Sequence, residues 1–206
     1  GKTIRYTLDV VGKHIAINTV GVIACINALG CDIDSAIDSF RSICLGRGRG
    51  KHIGIPLGTV GEISLIDESY NANPIAMRAA LASFGLTKLN NGGRRIAILG
   101  DMLELGPNGP FLHANLIDDL IASKPDMVVT VGSLMKNLYD KIPEGITRLH
   151  ANKSSDIAEK IPQKLRVGDL ILVKGSLGTN MAPIVTAIEN MGLKSGLLVE
   201  SHEMRG

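Results

Sequence analysis

The chain has 206 residues, enough for one large or two small domains, and its apolar content of 45% is sufficient for a buried core. Its formal net charge of +2 gives no electrostatic basis for binding nucleic acid or an anionic membrane. No apolar run is long enough to span a bilayer, no signal peptide pattern is visible, and the 3 cysteines form no CxxC pair. These features predict a cytoplasmic protein with reduced thiols.

The first fifty residues are predicted to be mainly helical. Residues 3–8 alternate between polar and apolar like a strand, whereas residues 15–29 are apolar on nearly all sides, as in a buried helix. Residues 33–40 carry apolar side chains at helical spacing and predict a second helix. The following residues 46–51 combine glycine with positive charge, which predicts a flexible connection and a domain boundary near residue 50.

Strands and helices are predicted to alternate through the rest of the chain. The predicted strands are residues 63–67, 95–99, 127–131, 146–149 and 170–173, with a short edge strand at 196–199. The intervening helices are predicted to begin near residues 74, 110, 133, 154 and 180. Apolar strands separated by helices pair in parallel through right-handed crossovers. The predicted fold class is therefore α/β, a Rossmann-like, mainly parallel sheet with helices on both faces.

Three of the predicted strands end in loops that are rich in glycine and polar side chains. The loop sequences are DESYNANP at residues 67–74, GDMLELG at 100–106 and KGSLG at 174–178. Glycine allows the backbone to approach a ligand closely, and free N–H groups near a helix start favour anions. Because ligands of open α/β sheets bind at the carboxyl ends of the strands, we expect the three loops to converge on one site.

The first of these loops also has a purely structural interpretation. Asn73 can cap the following helix, and Pro74 suits the first helical position because its missing N–H would be unpaired there. Capping does not require Asp67, Tyr70 and Asn71 as well. The extra polar side chains favour a binding function over a simple capped turn.

The three motifs, with His113 shortly after the second, resemble the C-terminal domain of the Mur ligases of bacterial cell-wall synthesis. The YNANP form of the first loop is similar to that of the member that adds D-alanyl-D-alanine to UDP-N-acetylmuramoyl-tripeptide. The segment around His14 and Asn18 resembles the end of the family's central, ATP-binding domain. The resemblance implies a mainly helical remnant of that domain at residues 1–50 and a C-terminal domain at residues 51–206.

The resemblance places four residues of the chain at the nucleotide. Asn18 matches the family's asparagine at the adenine of ATP, and His14 lies one helical turn before it, although an exposed helix start would also explain the pair. Arg47 matches an arginine at the domain junction whose guanidinium can bind phosphate oxygens, with Arg49 or a solvated basic linker as alternatives. Asp67 is implied to accept hydrogen bonds from ribose hydroxyls.

Other residues are implied to bind the acceptor, the zwitterionic D-alanyl-D-alanine. They are Tyr70, Asn71 and Asn73 as neutral groups, Lys174 for a carboxylate and Ser176 as its hydrogen-bond partner. Asp101 or Glu104 either receives the acceptor ammonium or braces the domain interface, and the role of His113 is left open. Many relatives carry an arginine near residues 177–181, where this chain has none, which leaves anion contacts there undecided.

The resemblance also implies the reaction and its cofactors, ATP and Mg2+. ATP phosphorylates the terminal carboxylate of the tripeptide, the amine of D-alanyl-D-alanine attacks the acyl phosphate, and phosphate leaves. Positioning and charge stabilisation are the main tasks of the protein in such a reaction. No catalytic residue and no protein metal ligand is predicted within the chain, and the complete enzyme is expected to be monomeric.

The start of the chain departs from the family pattern. The triplet at residues 1–3 is similar to the tail of a GxxGKT phosphate-binding loop, but the strand-like residues 4–8 stand where a helix would follow. The match at His14 and Asn18 follows too soon for most of a central domain. We therefore expect a fragment that has no ligase activity by itself.

Two alternatives belong to other functional classes. A NAD-binding domain requires GxGxxG between its first strand and helix, and residues 46–48 lie after a predicted helix instead. A non-catalytic nucleotide-binding or partner-docking module would use an exposed surface, and an incomplete first domain would expose apolar side chains of residues 15–29.

Overall fold

The computed structural model describes residues 3–8, 13–41, 46–89 and 92–203 and has two compact units, Gly1–Gly46 and Arg47–Gly206. In the first unit the helices are α1 (Lys13–Ala28) and α2 (Ile33–Phe40). The strands of the second unit are β1 (Lys51–Pro56), β2 (Glu62–Glu68), β3 (Arg95–Gly100), β4 (Met127–Val131), β5 (Thr147–Ala151) and β6 (Leu170–Lys174). Its helices are α3 (Pro74–Leu86), α4 (Gly109–Ala114), α5 (Ile117–Ala122), α6 (Lys136–Tyr139), α7 (Ser154–Ala158) and α8 (Ala182–Glu203). Short 3-10 turns lie at Gly106–Asn108, Ile161–Lys164 and Leu177–Thr179.

The first unit confirms the two predicted helices but not the predicted burial of the first. Within this unit α1 contacts α2, and the Tyr6 hydroxyl lies 2.8 Å from Thr19 Oγ1. Ile17 and Val20 of α1 are each 59% exposed, which agrees with the alternative expectation that apolar side chains of residues 15–29 are exposed. Residues 3–8 do not form the predicted strand, since alternation provides no neighbouring strand to pair with.

The second unit contains a six-stranded sheet with the order β1-β2-β6-β3-β4-β5. Four of the five strand pairs in this sheet are parallel, namely β2–β6, β6–β3, β3–β4 and β4–β5, and only the edge pair β1–β2 is antiparallel. The predicted mainly parallel α/β sheet is therefore confirmed. The edge strand β1 was missed because it has only two apolar residues, Ile53 and Ile55, and contains Gly54 and Pro56, which are rare in strands. The strand predicted at residues 196–199 is wrong, since α8 continues through it; a short apolar run fits helix and strand alike.

Helices cover both faces of the sheet and form two apolar clusters with it. On one face Ala97 and Leu99 of β3 pack in a cluster with Phe84 of α3. On the other face Ile96 and Ile98 of β3 pack in a cluster that includes side chains of α7 and α8. Burial on both faces explains why β3, β4 and β6 read as continuous apolar runs. None of the described helices is long and apolar enough to cross a membrane.

A buried ion pair lies at the amino end of β6. Asp169 is fully buried, and its carboxylate accepts hydrogen bonds from Arg94 Nε at 3.0 Å and Arg94 Nη2 at 2.7 Å. The backbone N–H of Arg166 donates to the same carboxylate at 2.9 Å. Hydrogen bonding to Asp169 raises the pKa of Arg94 above its usual value. The pair joins the residue before β3 to the residue before β6, at the end of the sheet opposite the three polar loops.

Candidate functional site

The three polar loops follow β2, β6 and β3, which are neighbours in the sheet. Ser176 links all three: its Oγ accepts the N–H of Leu103 at 2.9 Å and donates to the carbonyl of Ala72 at 3.3 Å. The N–H of Ser176 also donates to the carbonyl of Asp101 at 3.0 Å. The loops therefore meet at one sheet edge, as the parallel strand order requires.

Lys174 lies at the end of β6 and is buried between two partners. Its Nζ is 2.8 Å from Glu68 Oε2 and donates to the carbonyl of Asn71 at 2.9 Å. Glu68 was not predicted as part of the site, although it is the register partner of Lys174 across β2 and β6. A correct strand register would have revealed the pair, because opposite charges at facing positions attract. Carboxylate binding by Lys174 stays a prediction.

Asp67 is buried at the end of β2, and its carboxylate organises the backbone around it. It accepts the N–H of Gly48 at 2.8 Å, and it accepts the N–H and the hydroxyl of Ser69 at 3.1 and 2.6 Å. Gly48 has a φ of +75°, and a Cβ there would lie 2.7 Å from the backbone N of Tyr70. Only glycine fits this approach without strain. Asp67 thus holds residues 47–50 against the first polar loop.

A first cleft of about 170 Å³ brings together Arg47, Asp67 and Tyr70, three of the residues singled out from the sequence. The other lining residues are Gly48, Ser69, Leu177, Asn180, Met181, Ala182, Val185 and Thr186. Arg47 is largely exposed, and its Nη2 lies 3.0 Å from Glu189 Oε2. The guanidinium carbon of Arg49 lies 4.1 Å from the centre of the Tyr70 ring. The cleft combines an exposed cation with a carboxylate and apolar walls.

Asp101 is buried in the loop after β3 and contacts the loop after β4. Its Oδ1 accepts the N–H of Met135 at 2.7 Å, and its Oδ2 accepts that of Leu134 at 3.2 Å. Gly132 has a φ of +106°, and a Cβ there would lie 2.3 Å from the carboxyl carbon of Asp101. In this arrangement Asp101 braces two neighbouring loops; a further role with an ammonium group stays a prediction.

Replacing Gly132 with alanine is expected to lower the free energy of unfolding by about 3 kcal/mol. The new methyl group would overlap the Asp101 carboxylate and would favour a different backbone conformation. Urea unfolding measures the loss, with Gly145→Ala as the control, because nothing lies within 4 Å of a Cβ at Gly145. A loss for Gly132→Ala no larger than for the control would contradict the expected clash.

A second, larger cavity of about 570 Å³ lies at the same sheet edge. Its lining residues are Asp101, Leu103, Gly132, Ser133, Asn152, Lys153, Ser154, Ser155, Gly178, Thr179, Asn180 and Pro183. Asn180 lines both cavities and has a left-handed backbone conformation with φ 51°. The Ser154 hydroxyl donates to the carbonyl of Asn180 at 2.6 Å, which connects the start of α7 to the loop after β6. The second cavity was not predicted because the polar residues after β5 form no recognisable motif.

His113 is fully buried and braces the second polar loop. The N–H of Met102 donates to His113 Nε2 at 2.8 Å, and His113 Nδ1 lies 2.7 Å from the carbonyl of Gly109. A backbone N–H must donate, so Nε2 accepts and Nδ1 carries the proton. Glu104 is exposed in the same loop and has a φ of 62°. The structure therefore places His113 against Met102, the residue after Asp101, and directs both ring nitrogens to backbone groups.

The three asparagines singled out from the sequence occupy different environments. Asn73 caps α3, where its Oδ1 accepts the N–H of Ala76 at 2.8 Å, as predicted. The Oδ1 of Asn71 accepts the N–H of the next residue, also at 2.8 Å. Asn18 is exposed on α1 in the first unit, and the side chain of His14 lies outside the described residues. Binding by these residues stays a prediction.

His150 on β5 introduces a pH dependence near the second cavity. Its Nδ1 lies 2.9 Å from Thr130 Oγ1, and Asn152 of the cavity wall lies two residues further along the chain. Burial, reinforced by the positive charge of Lys136, lowers the pKa of His150 below its usual value of 6.5. The folded chain therefore favours neutral histidine, and protonation is more favourable in the unfolded chain.

Because the pKa is lowered in the folded state, the contribution of His150 to stability is complete above pH 6.5. It is expected to decline as pH falls below 6.5 towards the lowered folded-state pKa. The measurement is urea unfolding of wild type and His150→Gln between pH 5 and pH 8. The difference in free energy of unfolding between wild type and His150→Gln should be constant at high pH. At low pH the wild type should lose stability relative to the variant. A pH-independent difference would contradict the assignment.

Comparison with known proteins identifies the family. The model of the family "Mur ligase, glutamate ligase domain" matches residues 56–177. The chain belongs to this family. The match covers the first two polar loops, the third as far as Leu177, and the walls of the second cavity that follow β3, β4 and β5. The family predicted from the sequence motifs is thereby confirmed.

Curated relatives and solved structures agree with this family. The UDP-N-acetylmuramoyl-tripeptide–D-alanyl-D-alanine ligase of Rickettsia prowazekii is 33% identical over 184 residues, covering 89% of this chain and 39% of the relative. The Bacillus subtilis ligase of the same name is 28% identical and covers 87% and 39%. The chain thus spans about 39% of the length of these relatives.

Two solved structures show the same fold. MurF from Acinetobacter baumannii matches with a TM-score of 0.71 and 24% identity, over 90% of this chain and 39% of that one. The MurF ligase from Thermotoga maritima, solved in complex with ADP, matches with a TM-score of 0.70 and 20% identity. It covers 89% of this chain and 40% of the matched chain. At these identities the likeness supports the fold alone.

Proposed function

We propose that this chain provides the C-terminal lobe of a ligase that uses ATP to join D-alanyl-D-alanine to UDP-N-acetylmuramoyl-tripeptide. The observation that carries the proposal is the first cleft, which unites Arg47, Asp67 and Tyr70 at the edge where three polar loops meet. Curated relatives over most of the chain bear the name of this ligase. We further propose residues 1–50 as the end of the central domain, residues 51–206 as the C-terminal domain, and a monomeric, cytoplasmic enzyme.

The first cleft fits part of a nucleotide. Its volume of about 170 Å³ is below the roughly 300–1,000 Å³ of complete small-ligand sites, so it accommodates one portion of ATP. The exposed Arg47 guanidinium suits phosphate oxygens, and its surface ion pair with Glu189 is weak enough to be exchanged. Tyr70, Leu177 and Val185 offer apolar contact to a base or ribose.

ATP supplies the phosphoryl group that converts the tripeptide carboxylate into an acyl phosphate, which the acceptor amine attacks with release of phosphate. The role of this chain is to position both partners: Asp67 holds the turn that carries Arg47, and Ser176 holds the three loops together. We propose that Mg2+ is bound chiefly through the phosphates of ATP, as is usual for this ion. We also propose that Asn18 and His14 bind nucleotide, as the resemblance implies.

A grafted ligase tests the proposal. This chain replaces the matching segment of the Rickettsia prowazekii ligase, and phosphate release is measured with ATP, Mg2+, UDP-N-acetylmuramoyl-tripeptide and D-alanyl-D-alanine. Release is expected only when both substrates are present. Binding of ADP to the grafted protein is the control for correct folding. A folded, ADP-binding graft that does not require D-alanyl-D-alanine, or prefers a single amino acid as acceptor, would overturn the proposal.

A further inference from the structure

The second cavity contains charges suited to a zwitterion. Among its lining residues, all within the described part of the chain, the carboxylate is that of Asp101 and the cation that of Lys153. The hydroxyl groups of Ser133 and Ser155 add neutral hydrogen-bonding capacity. The volume of about 570 Å³ lies within the roughly 300–1,000 Å³ of small-ligand sites. The cavity is therefore large enough for a dipeptide with two charged ends.

The cation predicted for the acceptor carboxylate is already engaged. Lys174 is buried, pairs with Glu68 at 2.8 Å and donates to the carbonyl of Asn71. Moving it to a ligand would leave Glu68 without its partner, and separating a buried pair is unfavourable. Lys153 is exposed and forms no ion pair with any described residue. Its ammonium can approach a ligand carboxylate without breaking an existing contact.

Lys153 is held beside the cavity by the residue that follows it. Ser154 is buried, and its hydroxyl donates to the carbonyl of Asn180 at 2.6 Å. This bond fixes the start of α7 against the loop after β6, while the side chain of Lys153 is exposed. On the carboxylate side, each oxygen of Asp101 accepts one backbone N–H, which leaves capacity for an ammonium donor.

We propose that Lys153 binds the C-terminal carboxylate of the acceptor dipeptide in the second cavity and that Asp101 orients its amino group. The inference rests on the proposed ligase function and assigns the acceptor to a position different from Lys174. Lys153 binds the substrate and takes no part in the chemical step, and its positive charge gives the preference for an acceptor with a free carboxylate.

The test compares D-alanyl-D-alanine with its C-terminal amide, which lacks the negative charge. NMR titration of the chain is expected to show shifts at Ser133, Ser155 and Gly178 and about tenfold weaker binding of the amide. Lys153→Met should weaken the dipeptide about tenfold and leave the amide unchanged, while Lys153→Arg should keep the preference. The control is Lys160→Met, because Lys160 is exposed and does not line the cavity.

The grafted ligase gives an independent readout. Lys153→Met is expected to raise the KM for D-alanyl-D-alanine about tenfold with kcat nearly unchanged, and to leave the KM for the tripeptide unchanged. Equal KM values for D-alanyl-D-alanine in wild type and variant, or an effect on the tripeptide alone, would overturn the inference and leave the ligase function standing. If D-alanyl-D-alanine neither binds the chain nor acts as an acceptor for the folded grafted ligase, both the proposed ligase function and the acceptor site at Lys153 are wrong.

Discussion

Replacing Asp169 with alanine is expected to lower the free energy of unfolding by about 3–5 kcal/mol, a large share of the roughly 5–15 kcal/mol that stabilises a typical domain. The carboxylate accepts two hydrogen bonds from Arg94 and one from the backbone of Arg166. Its removal leaves the Arg94 guanidinium, whose side chain is only 25% exposed, without its counter-charge. Urea unfolding at neutral pH measures the loss.

The matched control for this substitution is Asp140→Ala. Asp140 forms an ion pair with Lys136, and both side chains are about half exposed. Exposed pairs contribute about 0–1 kcal/mol, so the control should change little. Equal losses in the two variants would show that the buried pair contributes no more than a surface pair.

Replacing Asp67 with asparagine is expected to lower the affinity of the chain for ADP by tenfold or more and the free energy of unfolding by about 2 kcal/mol. An amide has one acceptor oxygen, whereas both oxygens of Asp67 are used, one by Gly48 and one by Ser69. The amide NH2 would face one of these donors. The turn that carries Arg47 would lose its attachment to the first cleft.

Isothermal titration with ADP and urea unfolding measure the two effects of Asp67→Asn. Asp119→Asn is the control, because Asp119 contacts Arg78 on a partly exposed surface outside the cleft. A variant that loses stability but binds ADP as tightly as wild type would show that Asp67 is structural only. Binding lost in both variants would show that the titration does not report on the cleft.

The sequence was sufficient to predict the parallel sheet and the place where its polar loops meet. Both follow from local patterns: β3 and β6 are apolar runs, and each ends in glycine and charged side chains. The capping role of Asn73 was equally local, because a cap and the N–H it accepts are three residues apart. The strands and the cap required no knowledge of which strands are neighbours, whereas the meeting of the three loops also depends on β2, β6 and β3 lying side by side.

Contacts between distant segments could not be predicted in the same way. The pair of Lys174 and Glu68 depends on the register of β6 against β2, and Arg94 and Asp169 are 75 residues apart. Apolar residues recur at the spacing of a helix or strand, but the two members of each ion pair have no fixed spacing along the chain. Neither pair could therefore be predicted from a sequence pattern. The same reason explains why Lys153 was missed: its place in the second cavity depends on the packing of the loop after β5.

The two ion pairs at the ends of β6 have a consequence for how the sheet assembles. Between Asp169 and Lys174 the strand reads Leu-Ile-Leu-Val, and similar side chains point to both faces. Sliding such a strand by one residue exchanges its faces at little apolar cost. A slipped strand would, however, pull Asp169 from Arg94 and Lys174 from Glu68 simultaneously, leaving buried charges unmatched. Charged residues at both ends thus exclude misaligned folded states that hydrophobicity alone would tolerate.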